Sequence, residues 1–183
     1  MMRKLEDTVL YSDADYHAAF PSIVSLSDGE LLVSFRRAPD RRKFFAPQCT
    51  HSDPNSQLML VRSHDLGCTW TDEPELIHAH PFGGAQDACM AQLDDGSLLL
   101  TSCAWMLLPE EGIAHITSEK RIPKYGWTFT FLGGYLMRSG DRGHSWEGPI
   151  LPPQIAGEAT FFPGIPVPAT NFGAMLQGRD GNL

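Results

Sequence analysis

The feature that most constrains the fold is an eight-residue motif that occurs twice. Residues 63–70 read Ser-His-Asp-Leu-Gly-Cys-Thr-Trp, and residues 139–146 read Ser-Gly-Asp-Arg-Gly-His-Ser-Trp. Both copies fit the pattern Ser-x-Asp-x-Gly-x-Ser/Thr-Trp, and both follow an apolar run that ends in Arg-Ser. Five fixed positions that match twice indicate an internal structural repeat.

A second repeat alternates with the first. Asp-Gly pairs at 28–29, 95–96 and 180–181 each follow one apolar run and precede another. Such a pair predicts a β-hairpin, because glycine adopts a positive φ without steric cost. The resulting order is hairpin, long loop, strand, motif and strand, which predicts a repeating four-stranded antiparallel unit. No stretch has sustained helical periodicity, so the predicted fold class is all-β.

These two repeats resemble the sialidase (neuraminidase) superfamily, whose six-bladed β-propellers carry the same motif, the Asp box, between the third and fourth strands of a blade. The resemblance runs from about Phe20 to Leu183. It implies one partial propeller domain, with four-stranded blades at about 18–78 and 86–152 and the start of a third at about 171–183. Because such a piece leaves sheet edges unpaired, we expect it to need missing propeller blades or to self-associate.

The aspartates of the two Asp-box motifs, Asp65 and Asp141, are predicted to be structural, because an aspartate in such a turn accepts hydrogen bonds from backbone N–H groups. The resemblance places the motifs on the face opposite the substrate site. Long loops on a rigid scaffold are where function usually lies. The loops that reach the other face are residues 36–56, 78–87, 105–130 and 152–171.

Two arginines at the end of the predicted second strand are candidate substrate-binding residues. Arg36 and Arg37 reach the functional face, and a guanidinium binds a carboxylate in a bidentate manner. The carboxylate of sialic acid would require such a partner. The following basic residues, Arg41, Arg42 and Lys43, are interpreted as a solvated loop.

The candidate catalytic residue is Asp53, just before the third strand. The resemblance implies that the acid/base aspartate comes from this part of the first blade, with Asp40 as the second candidate and His51 as a substrate-binding neighbour. A carboxyl group there would protonate the departing glycosidic oxygen. The alternative is that Asp53 only begins an Asx-type turn.

Polar residues also enter the second unit from the functional face. Gln86 and Asp87 are expected to face the pocket, and Asn171 has the corresponding place in the third unit. Tyr125 and Trp127 offer aromatic surface on which a sugar can stack. Packing along an edge strand is the alternative role for these two aromatic residues.

No metal ion or cofactor is predicted. His78 and His80 form a His-x-His pair without a third ligand in register, and the four cysteines include no Cys-x-x-Cys pair. The formal net charge of −8 disfavours nucleic acid and anionic membranes as partners. Neither a secretory signal nor a run of about 18 apolar residues is visible, so we expect a cytoplasmic protein.

The sequence also departs from the resemblance. The family begins its first blade with Arg-Ile-Pro, whose arginine holds the substrate carboxylate, whereas this chain has Ala19-Phe20-Pro21. Either Arg36 or Arg37 supplies that charge, or the substrate is not an ordinary sialoside. The resemblance places the nucleophilic tyrosine, its glutamate partner and the other arginines in later blades, beyond Leu183.

Three hypotheses about function follow. The first is a sialidase-like glycoside hydrolase that acts at the ends of sialosides or related carbohydrates. The second is a non-catalytic propeller that binds carbohydrate or protein, which the replacement at Ala19 favours. The third is a truncated reading frame with no activity of its own.

Overall fold

The computed structural model describes residues 6–43, 53–109, 121–124, 127–153 and 173–183. These residues form ten strands and one short 3₁₀ turn, and none of their helices is long and apolar enough to cross a membrane. The 3₁₀ turn is Arg41–Lys43. The strands are β1 (Tyr16–Ser25), β2 (Leu31–Pro39), β3 (Gln57–Ser63), β4 (Glu75–Ala79), β5 (Gly84–Ala85), β6 (Cys89–Gln92), β7 (Leu98–Pro109), β8 (Arg121–Lys124), β9 (Trp127–Ser139) and β10 (Glu147–Ile150).

The first four strands form one antiparallel sheet, sheet A, in the order β1-β2-β3-β4. The β1–β2 register places Ala19 opposite Arg36, and β3 places Leu58 on the other side of Arg36. A bulge in β1 follows Ala19, and there Phe20 has a positive φ of 56°. The bulge brings the Phe20 ring to the Arg36 guanidinium, 5.2 Å from the ring centroid.

The remaining strands form a second antiparallel sheet, sheet B, in the order β10-β9-β7-β5. Both β5 and β6 pair with β7, so they are two parts of one edge strand that residues 86–88 interrupt. Strand β8 pairs with the beginning of β9 and extends the sheet beyond the predicted four strands. The prediction of an all-β chain with two antiparallel sheets is confirmed, and sheet B has more strand segments than expected.

The main apolar core lies between the two sheets. Alternate residues of β2 and β3 face alternate residues of β7 and β9, as the period of two in a strand requires. Hydrogen bonds also join the sheets; for example, Ser34 Oγ donates to the carbonyl of Ala88 at 3.1 Å, and the N–H of Met90 donates to Ser22 Oγ at 3.1 Å. The core residues are Leu26, Leu32, Leu58, Leu60, Ile77, Ala85, Ala88, Met90, Leu98, Leu100, Ala104, Tyr135 and Met137.

The two Asp-box motifs have the same hydrogen bonds. In the first, the Ser63 hydroxyl accepts from the N–H of Gly67 at 2.8 Å and donates to Asp65 at 2.9 Å. The Asp65 carboxylate accepts from the N–H of Thr69 at 2.8 Å and from its hydroxyl at 2.6 Å. The Trp70 indole donates to the carbonyl of Gly67 at 3.1 Å. The same contacts in the second motif are made by Ser139, Asp141, Gly143, Ser145 and Trp146.

These contacts show what the motif aspartates do. The side chain of Thr69 lowers the pKa of Asp65 to about 2, and that of Ser145 lowers the pKa of Asp141 as well. Both carboxylates therefore hold their turns as acceptors of hydrogen bonds.

An ionic network joins the two sheets at the Asp-box edge. The buried side chain of Arg62 donates to Glu75 at 2.6 and 3.1 Å, to Glu30 at 3.3 Å, and to the carbonyl of Arg142 at 2.8 Å. Arg142, in the second motif, forms ion pairs with Asp28 and Glu30 of sheet A. The second motif is therefore attached to the first hairpin turn.

The third Asp-Gly pair forms the same kind of turn as the first two. Gly29, Gly96 and Gly181 all have a positive φ, and each donates its N–H to the carbonyl three residues earlier. The side chain of Gln177 accepts a hydrogen bond from the N–H of Asp94 at 2.8 Å. The third turn therefore lies beside the second.

Candidate functional site

The candidate residues lie at the edge of the sheets opposite the two Asp-box motifs. The register pairs Leu31 with Ser63 at the motif edge and Arg37 with Gln57 near the other. Strand β4 ends and strand β5 begins at that second edge, so both sheets contribute to it. We call it the loop edge.

Arg36 and Gln86 are brought together across the two sheets. The Arg36 guanidinium donates to the Gln86 side-chain oxygen at 3.3 Å, and both residues are buried. Ser102 Oγ donates to the Gln86 carbonyl at 3.0 Å, and the N–H of Gln86 donates to the carbonyl of Cys103 at 2.8 Å. The interruption of the edge strand therefore points Gln86 at sheet A.

Arg37 does not share this position, because neighbouring residues in a strand face opposite sides. Its guanidinium lies over the Tyr16 ring, 4.4 Å from the centroid, and donates to the Gln57 side chain at 3.0 Å. Val33 and Phe35, on the same side of β2, belong to a separate apolar cluster. Of the two arginines, Arg36 is therefore the one that faces sheet B, and the predicted role of each in substrate binding stays a prediction.

Asp53 is a buried carboxylate with a cationic partner. One carboxylate oxygen pairs with Nε of Arg41, and the other accepts from Arg41 Nη2 at 3.2 Å. That second oxygen also accepts from the N–H of Asn55 at 2.9 Å, which is the predicted Asx-type turn. Asp53 therefore begins an Asx-type turn and also carries a buried, paired carboxylate.

The interpretation of Arg41 as a solvated loop residue is corrected by the same contact. Its side chain is 34% exposed, whereas that of Arg42 is 63% exposed and pairs with Asp40 two residues away. The Asp53 side chain raises the pKa of Arg41. No sequence pattern distinguishes the two arginines, since the partner of Arg41 is twelve residues away.

The turn at Asp53 is packed against sheet B. The N–H of Ala85 donates to the carbonyl of Ser56 at 3.1 Å. A Cβ atom at Gly84 would lie 1.9 Å from the carbonyl oxygen of Asp53 and 2.8 Å from Ser56 Oγ. Only glycine at position 84 allows this approach of two backbones.

Asp87 lies beside a buried thiol. Burial, with a smaller contribution from the Asp87 charge, raises the pKa of Cys103 to about 12. Cys103 is thus a thiol at neutral pH and a poor nucleophile. The Oδ1 atom of Asp87 and the Nε2 atom of Gln86 are buried without a hydrogen-bond partner among the described residues.

The two histidines belong to an aromatic cluster. The rings of His78 and His80 lie 5.3 and 5.8 Å from that of Tyr135, and burial lowers the pKa of both histidines. A shift of register in the β3–β4 pairing lets His78 face sheet B beside the core residue Ile77. Across the described ranges, no group of three or more His, Cys, Asp or Glu side chains is arranged to hold a metal ion.

Three candidates, His51, Tyr125 and Asn171, lie outside the described residues. Trp127 is the first residue of β9 and pairs with Pro109. The predicted roles of these three residues and of Trp127 stay predictions.

Comparison with solved structures finds matches to this chain. A crystal structure of a protein of unknown function from Dyadobacter fermentans DSM 18053 is 46% identical, with a TM-score of 0.85. The match covers 98% of this chain and 48% of that chain, so this chain spans about half the length of that structure. The Hadza microbial sialidase Hz136 is 17% identical with a TM-score of 0.46, over 72% of this chain and 24% of that chain. Neither a protein-family model nor a curated protein matches the chain.

Proposed function

We propose that this chain is part of a sialidase-like β-propeller that hydrolyses the terminal sugar of a sialoside or a related acidic carbohydrate. In this proposal sheet A is one four-stranded unit, and sheet B is a second such unit extended by β8; each carries an Asp-box motif, and the remaining catalytic groups would come from other blades, as the sequence resemblance implies. In this proposal Asp53 is the acid/base residue, and Arg41 is the cation nearest to it.

The observation that carries the proposal is the position of the Asp53–Arg41 pair. A buried carboxylate and a partly exposed guanidinium meet at the loop edge, opposite both Asp-box motifs. Glycoside hydrolysis needs a carboxyl group that can transfer a proton, and an acidic sugar needs a cation. Arg36, the other candidate on this side of sheet A, is fully buried and holds Gln86, so Arg41 is the more accessible cation.

A specific observation favours the second candidate function, a propeller that binds carbohydrate or protein without catalysis. Ala19 replaces the arginine of the family motif, and Asp53 accepts hydrogen bonds from both Arg41 and Asn55. A carboxylate with both oxygens occupied transfers a proton only after a partner moves. In that case the loop edge would bind a sugar and leave it unchanged.

The test compares the wild-type protein with Asp53→Asn on two substrates, sialyllactose and an aryl sialoside with a good leaving group. Asparagine keeps an acceptor for the Asn55 N–H but has no acidic proton. We expect turnover of sialyllactose to fall by about a hundredfold or more, and that of the aryl sialoside to fall less, because its leaving group needs less protonation.

Equal losses on both substrates would show that Asp53 is not the general acid. Binding of sialyllactose by the wild-type protein without any turnover would support the non-catalytic alternative. The melting temperature of the variant is measured in parallel, so that a folding defect is distinguished from a loss of chemistry.

A further inference from the structure

Asp53 and Arg41 differ sharply in their freedom to move. The Asp53 side chain is 2% exposed. The backbone carbonyl of Asp53 accepts a hydrogen bond from the N–H of Ser56 at 3.1 Å and lies against the backbone of Gly84. Arg41 belongs to a three-residue 3₁₀ turn after β2 and is about one-third exposed. The backbone of Asp53 is therefore fixed against sheet B, whereas the arginine reaches the carboxylate from a short turn.

Arg41 is also the charged group that compensates the burial of Asp53. Asp53 contacts Arg41, Asn55, Ser56 and Gly84, and Arg41 is the charged one of these four residues. A buried carboxylate that loses its cation is strongly disfavoured as an anion. It then takes up a proton more readily, because burial penalises the charged form.

We propose that Arg41 is an exchangeable partner: the carboxylate of a bound sugar draws its guanidinium away from Asp53, and Asp53 then takes up one proton from solvent. This inference rests on the proposed function and describes how its acidic substrate would change the charge state of the site. The proton adds to a carboxylate oxygen of Asp53, whose charge changes from −1 to 0, while the guanidinium keeps its charge. Binding of the acidic sugar thus prepares the acid that the hydrolysis needs.

Acidic and neutral ligands are expected to differ in whether a proton is taken up when they bind. A sugar without a carboxylate leaves Arg41 paired with Asp53, so its binding involves no proton. An acidic sugar replaces one carboxylate partner of Arg41 by another, and proton uptake accompanies its binding. Arg41 is therefore a residue that determines specificity through the protonation of Asp53.

The experiment measures proton uptake on binding by titration calorimetry at pH 7 in buffers of different ionisation enthalpy. The probes are N-acetylneuraminic acid and its methyl ester, and the proteins are wild type, Asp53→Asn and Arg41→Met. For the wild type we expect proton uptake with the acid and none with the ester. Asp53→Asn should bind the acid without proton uptake, and Arg41→Met should bind it about tenfold more weakly or worse.

Binding of the acid by the wild type without proton uptake would overturn the inference and leave the proposed function intact. Undiminished proton uptake in Asp53→Asn would overturn it as well, since the proton would then go elsewhere. Failure to bind either sugar would contradict the proposed function itself, and the inference with it.

A second arm needs no ligand. In Arg41→Met, Asp53 is buried without its cation, so we expect the variant to lose stability relative to wild type as the pH rises. The direction follows from linkage. If the folded variant binds the Asp53 proton more tightly than the unfolded variant does, that proton stabilises the folded state at low pH, and the stabilisation is lost when the proton leaves at higher pH. Arg138→Met, whose carboxylate partner Asp95 is exposed, is the control. An identical pH dependence in the two variants would count against the proposal.

Discussion

The backbone of Gly84 in sheet B lies against the carbonyl oxygen of Asp53, and a Cβ atom at position 84 would stand 1.9 Å from that oxygen. Asp53 lies in the chain between β2 and β3, two strands of sheet A, so sheet B helps to position a candidate acid that does not belong to it. The loop edge therefore forms only when the two sheets are packed together.

Gly84→Ala should test this packing directly. Because the added methyl group meets backbone atoms that cannot rotate away, we expect a loss of about 3 kcal/mol in the free energy of unfolding, measured with urea. Gly140→Ala is the matched control, since a Cβ atom there meets nothing within 4 Å. Equal stability of the two variants would contradict the close approach at Gly84.

The ionic network at the Asp-box edge gives a second prediction. Arg62→Met leaves buried Glu30 with half-exposed Arg142 as its remaining arginine partner, so we expect a loss of about 3 kcal/mol in the free energy of unfolding, the low end for a broken buried ion pair. Arg138→Met is the control at the corresponding position of sheet B, where the arginine pairs with exposed Asp95. We expect little change there, because exposed ion pairs contribute little.

A double variant separates loss of the ion pair from loss of packing. Glu30→Gln combined with Arg62→Met removes the buried charge that the single change leaves behind. We expect the double variant to be more stable than Arg62→Met alone, as a double-mutant cycle would measure. Additive losses would mean that the two side chains act independently.

The two adjacent arginines of β2 give a third prediction. Arg36→Met removes the donor to the buried Gln86 side chain, so we expect unfolding to require about 1–3 kcal/mol less. Arg37→Met, on the other face of the same strand, should leave the contact between the sheets unchanged. The comparison uses thermal unfolding with and without a bound sugar. If Arg37→Met weakened sugar binding more than Arg36→Met does, Arg37 would belong to the binding site.

The fold was largely predictable because its signals are local. The turns at Gly29 and Gly96 and the two Asp-box motifs fix where hairpins lie, and each depends on residues within a few positions. The opposite faces of Arg36 and Arg37 also follow from the period of two in a strand. The interruption of the edge strand at Gln86 depends on contacts with sheet A, which no local pattern records.

The candidate site was less predictable, because its contacts join distant parts of the chain. Asp53 was identified from the resemblance, but its pairing with Arg41 depends on how a loop returns to the end of β2. The approach of Gly84 to Asp53 depends on the packing of two sheets. Charge and residue type alone do not distinguish Arg41 from Arg42, because Arg42 pairs with a residue two positions away and Arg41 with one twelve positions away.

The pKa of Asp65 predicts how the first Asp-box motif responds to acid. Hydrogen bonds from Thr69 lower this pKa from 3.8 to about 2. A carboxyl group with a depressed pKa stabilises the folded state above its unfolded value, and that stabilisation is lost as the pH falls through the folded value. We therefore expect Asp65→Asn to lower the melting temperature by several degrees at pH 7 and by much less near pH 2, with sugar affinity unchanged.

Asp72→Asn provides the control for this series, because Asp72 is an exposed residue just after the same motif. Its melting temperature should follow that of the wild type at every pH. Asp141→Asn should behave as Asp65→Asn does, since the side chain and backbone of Ser145 lower the pKa of Asp141 in the same way. A variant of either motif that kept its melting temperature but lost sugar binding would place the Asp-box edge, rather than the loop edge, at the functional site.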